Sequence, residues 1–77
     1  MADISLESVV SSNISAIGYD PVTKTMRVQF TSGHTYDAIG PTQVDFESFK
    51  SSKSKGIHFG KFLKKAFVWS KIEKKGA

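Results

Sequence analysis

The chain has 77 residues, 39% of them hydrophobic, a formal net charge of +4 and no cysteine. That length allows one domain with a small core, and the missing thiols exclude a disulfide framework and a thiolate metal site. No apolar run is long enough to span a bilayer, and the opening MADISLESVV has acids where a secretory signal has basic residues, so a soluble cytoplasmic protein is expected.

In chain order, NISAIGYD (13–20) is rich in β-branched and small residues and reads as a first strand. Asp20-Pro21 then opens a turn that ends near Lys24, because proline fixes φ and aspartate can bond the backbone two residues on. TMRVQFT (25–31) alternates strictly, with Met26, Val28 and Phe30 on one side and Arg27 and Gln29 on the other. Period two is the mark of a half-buried strand. Ser32-Gly33 predicts a two-residue hairpin turn, with His34 to Ile39 as the returning strand. Gly40-Pro41 ends that strand. Thr42 can then accept from the Asp45 N–H and start a helix that runs through VDFESFK to about Ser51. Ser51 to Gly56 is polar and reads as a loop. From there Phe59, Phe62, Leu63, Ala66 and Phe67 fall on one helical stripe, with Lys61, Lys64 and Lys65 turned the other way. Val68 and Ile72 break the stripe, so the helix is expected to end near Phe67 and residues 68–77 to fray. The expected fold is α+β: a three-stranded antiparallel meander followed by two α-helices packed on one face. It forms one domain over residues 1–77, with a core spanning about 9–67.

The segments Ser11 to Ile14, Ile17 to Asp20, Met26 to Phe30, Ser32-Gly33, Tyr36 and Ser54 to Phe59 together resemble the KTSC domain. That module takes its name from the C-terminus of certain lysyl-tRNA synthetases and also occurs alone in short bacterial and phage proteins. The resemblance implies the fold above and, through attachment to a tRNA-handling enzyme, RNA as a partner. One departure stands out: the family tends to show Tyr-x-Tyr at the centre, where this chain has Tyr36-Asp37-Ala38. If that second tyrosine contributes to a binding surface in the family, Ala38 puts the contribution in doubt here.

Charge is divided unevenly along the chain. Residues 1–47 hold Lys24 and Arg27 against six acids, a net of −4, and residues 48–77 hold nine lysines against Glu73, a net of +8. Such polarity fits an anionic partner for the basic half, or lysines that only solvate a helical face. Lys50, Lys53, Lys55, Lys61, Lys64, Lys65 and Lys71 could share one patch, with Trp69 and Tyr36 as the aromatics least needed in the core. Lysines without arginine hold phosphates but do not read bases, so binding would be sequence-tolerant and salt-sensitive. A stacking platform also needs aromatics exposed beside the cations, and the stripe above assigns most of them to the core. His34 and His58 stand 24 positions apart in the sequence, both expected to be exposed, and no spacing suggests a catalytic triad or a metal site. The expectation is a non-catalytic binding module without cofactor or metal, whose partner is nucleic acid, RNA before DNA. The alternative is a protein-interaction module, such as a phage or bacterial accessory protein that docks an acidic surface of a larger complex. No membrane contact is expected, and the state is a monomer or a weak homodimer through an edge strand.

Overall fold

The computed structural model describes residues 4–72. Five strands form one antiparallel sheet in sequence order: β1 (Glu7–Ser8), β2 (Ile14–Asp20), β3 (Thr25–Phe30), β4 (Thr35–Ile39) and β5 (Ser70–Ile72). Helix α1 (Gln43–Ser51) follows β4. Then α2 (Lys55–His58), a π-helical turn (Phe59–Leu63) and α3 (Lys64–Ala66) run on as one helical segment, 55–66.

The expected meander is β2–β3–β4. Val28 lies opposite Ile17 and Tyr36, and Met26 opposite Tyr19 and Ala38, so these side chains share the face that the helices cover. Ile14, Ile17, Met26 and Val28 are buried there against Phe46, Phe49 and Leu63. Burying a side chain the size of Phe49 stabilises the fold by roughly 1.5–3 kcal/mol. On the other face Arg27 forks onto Asp37, with Nε donating to Oδ1 at 2.8 Å and Nη2 to Oδ2 at 2.9 Å. Ala38 is buried on the helix-facing side, so the position where the family tends to place its second tyrosine points into the core.

The turns follow their residues. Asp20 Oδ1 accepts from the Val22 N–H at 2.9 Å, as the Asp-Pro pair implies. The hairpin is one residue longer than expected. The Phe30 N–H donates to the His34 carbonyl and the Gly33 N–H to the Phe30 carbonyl, which leaves a three-residue connection closed by Gly33 at φ 101°. Thr42 and Asp45 form a reciprocal capping box at the start of α1, with Thr42 Oγ1 accepting from the Asp45 N–H at 3.2 Å.

Further expectations are corrected. The sheet has five strands because β1 and β5 extend the meander at either edge; at two and three residues they are too short to show a period. Residues 70–72 therefore pair, Tyr36 opposite Lys71, where fraying was expected; residues 73–77 of that tail lie outside the described residues. The second helical segment starts at Lys55 rather than near Phe59, because Ser54 Oγ accepts from the Ile57 N–H and caps it. Gly56 serves close packing and does not break the helix: a Cβ there would stand 3.3 Å from Asn13 Nδ2.

The last correction concerns the aromatic stripe. Leu63 is buried and Phe59 and Phe67 are half-buried, but Phe62 is 59% exposed and Ala66 is exposed. The π turn is the reason. Its i→i+5 bonding widens the helix, so each residue advances through a smaller angle than in an α-helix, and a stripe drawn at α-helical spacing runs off the core.

Candidate functional site

The helical segment, the β3–β4 hairpin and the approach to β5 enclose a cleft of about 630 Å³. Its walls are aromatic: Phe30, Tyr36, Phe59, Phe67 and Trp69. The rings brace one another edge to face, Phe30 against Tyr36 at 5.7 Å, Phe30 against Phe59 at 5.3 Å and Phe59 against Trp69 at 5.0 Å. Asn13, Ser32, His34 and Lys64 supply the polar edge.

Local sequence sets each of these side chains. Ser11 Oγ accepts from the backbone N–H groups of Asn13 and Ile14, which fixes the bend that delivers Asn13. The glycine-closed hairpin places Ser32 and His34 on either side of Gly33. The π turn brings Gly60 to the wall, where a Cβ would meet nothing within 4 Å, and sets Lys64 one turn on. Trp69 is held by its indole: Nε1 donates to the Leu63 carbonyl at 2.9 Å. That carbonyl ends the π turn and also accepts from the Phe67 N–H at 3.2 Å, so the indole bond ties Trp69 to the end of the helical segment.

Three of the sequence-selected residues, Tyr36, Lys64 and Trp69, meet at this cleft. Lys71 stands opposite Tyr36 in register, on the same face of the sheet. Lys61 and Lys65 are exposed on the helical segment, and Lys53 is exposed in the connection before it. Lys50 is paired with Glu7 at 3.1 Å in an exposed ion pair, a kind that contributes at most about 1 kcal/mol. Lys55 is half-buried and donates to the Ser52 carbonyl at 2.9 Å, closing the end of α1. The lysines thus divide into Lys64 on the cleft, an exposed group of Lys53, Lys61, Lys65 and Lys71, and two with partners.

The two tyrosines do not form a cross-strand pair, because β3 lies between their strands. Tyr19 stacks on Phe46 at 5.6 Å instead. His34 is exposed as expected, but His58 is half-buried, stacked on Phe49 at 5.6 Å and tilted against Phe62 at 5.1 Å. Sequence reading passed over Asn13, Ser32 and His34 as site residues, since only the fold brings 13, 32–36 and 56–69 together. Phe62 was passed over because α-helical spacing assigns it to the core. No helix among the described residues is long and apolar enough to cross a membrane.

The segments Ser11 to Ile14, Ser32-Gly33, Tyr36 and Ser54 to Phe59 each give at least one residue to the cleft. A family model described as the KTSC domain matches residues 10–67. Among solved structures, the crystal structure of a KTSC domain protein from Yersinia pestis is similar with a TM-score of 0.85 at 35% sequence identity, covering 92% of this chain and 100% of that one. No curated protein matches.

Proposed function

The chain belongs to the KTSC domain family, and from that premise we propose that it is a non-catalytic binding module for single-stranded nucleic acid, RNA before DNA. The observation that carries this reading is Phe62. It is 59% exposed, preceded by Lys61 and followed one turn later by Lys65, so an aromatic face is offered to solvent beside cations. That is the combination by which strands are held without base readout: rings stack on bases while lysines track phosphates. Lys53 and Lys71 extend the cationic surface to either side. Lys50 joins it if a phosphate displaces Glu7. Binding is sequence-tolerant and falls steeply with salt, because each neutralised phosphate releases counterions. The protein acts as a monomer, or as a weak homodimer whose copies would meet along the short outer edge of β5.

Reversing Lys61, Lys64 and Lys65 to glutamate is expected to abolish binding of a short single-stranded RNA, with the amide spectrum of the folded domain retained. Binding that survives the triple reversal contradicts the proposal. Phe62→Ala should weaken binding by about 1 kcal/mol or more, the worth of one stacked base, without loss of stability.

A second reading has its own support. Ile57 shares the exposure of Phe62, 59% each, and together they would form an apolar centre rimmed by lysines, as a docking face for an acidic protein requires. A single saturable protein partner, with weak salt dependence and loss of affinity on Ile57→Ala, would favour this reading over nucleic acid.

A further inference from the structure

The cleft is a different feature from the exposed helical face. It is concave, and its volume of about 630 Å³ falls within the roughly 300–1,000 Å³ of small-molecule sites. What distinguishes it is the state of its polar groups. Asp45 and Thr42 are used in a cap, Asp37 in an ion pair and Lys55 at the end of α1. The side chains of Asn13, Ser32, His34, Tyr36 and Lys64, by contrast, make no hydrogen bond or ion pair among the described residues. They converge on walls of flat rings, and among the described residues no carboxylate lines the space. Trp69 cannot turn to follow a ligand, since its Nε1 is held by the Leu63 carbonyl, so its ring is a preset surface.

Flat walls select a flat ring, and an ammonium with an imidazole and no acid selects an anion. We propose that the cleft binds a nucleoside monophosphate unit, its base against Tyr36 and Trp69 and its phosphate against Lys64 and His34, with Asn13 and Ser32 free to bond the sugar or the base edge. This chemistry could come from a free mononucleotide or from the phosphorylated end of a strand. The site does not depend on strand binding at Phe62, because it needs neither Lys61 nor Lys65.

Trp69 is the one tryptophan of the chain and stands in the cleft wall, so its fluorescence reports occupancy directly. Titration with adenosine 5′-monophosphate should change Trp69 emission saturably, with a Kd at or below about 1 mM. Adenosine and inorganic phosphate, each alone, should bind at least about tenfold more weakly, since each engages half of the site. Lys64→Glu alters an exposed lysine with no partner among the described residues, should leave the fold intact, and should abolish the response. Tyr36→Ala should weaken it about tenfold or more. The Lys61→Glu/Lys65→Glu variant should bind the mononucleotide within about twofold of the unaltered chain; that result with strand binding lost shows the two sites to be separate. A 5′-phosphorylated trinucleotide that binds tighter than the mononucleotide, and tighter than its dephosphorylated form, identifies the strand end as the source. Equal or weaker binding identifies the free nucleotide. No saturable response at several millimolar, an undiminished response in Lys64→Glu, or adenosine binding as tightly as its monophosphate would each overturn the assignment.

Discussion

The Tyr19 hydroxyl donates to the Pro41 carbonyl at 2.6 Å while its ring lies on Phe46, so one side chain ties β2 to the entry of α1. Its pKa is raised above the ordinary 10.0, first by desolvation and then by the charges of Asp45 and Asp20. The folded protein therefore holds this proton more tightly than the unfolded chain. The stabilisation is present in full below the ordinary tyrosine value and is lost as pH rises through and above it. Tyr19→Phe is expected to cost about 1 kcal/mol at neutral pH and to lose stability less steeply between about pH 9 and about pH 11, measured by urea unfolding. An equal alkaline slope in both proteins would contradict this role. Residue-scale chemistry of this local kind was readable in the sequence where partners are near neighbours: Thr42 with Asp45, and Asp20 with the Val22 N–H. Asn13 and His34 were not readable as site residues, since their importance comes from chain segments far away in sequence.

Among the elements, the three long strands were legible, β3 by the period two of Met26, Val28 and Phe30, β2 by its β-branched and small residues, and β4 as the return from the Ser32-Gly33 turn. The edge strands were not. Two or three residues carry no period, and what defines β5 is backbone pairing to β4. The helical segment failed in a more informative way. Its apolar residues were recognised, but their phase was drawn for an α-helix, and the π turn at Phe59–Leu63 rotates Phe62 outward. Stability measurements can check the observed phase. Leu63→Ala should destabilise by about 2–5 kcal/mol, the usual range for emptying a buried leucine site. Phe62→Ala should change stability by no more than about 0.5 kcal/mol, as for an ordinary surface position. Similar losses in the two variants would mean that the α-helical stripe is the true packing. Gly18→Ala offers an independent check at the opposite edge. A Cβ there would run into the Ser5 carbonyl and stand 2.8 Å from Ile4 Cγ2, so a loss of about 1–3 kcal/mol is expected from denaturant unfolding.

For the molecule as a whole, the division of charge was visible in the sequence, and the fold turns most of it into geometry. The acidic half supplies the meander and the start of α1, where Asp37 neutralises Arg27 and Asp45 caps the helix, so several of its charges are absorbed locally. The basic half supplies the helical segment and β5, where Lys61, Lys64, Lys65 and Lys71 remain exposed. What the sequence could not reveal was that Lys64 lines the cleft beside Tyr36 and Trp69 while Lys61 and Lys65 lie outside it around Phe62. Only the third dimension makes that distinction, and it gives a single small domain two surfaces of different shape. The most direct test of the proposed strand-binding surface is an amide chemical-shift titration of the labelled protein with a short single-stranded RNA, at low and at moderate salt. Shifts centred on residues 53–65 and 71 that fade as salt rises are the expected result. A protein whose spectrum stays unchanged at low salt would contradict it, leaving the lysines as a solvated face.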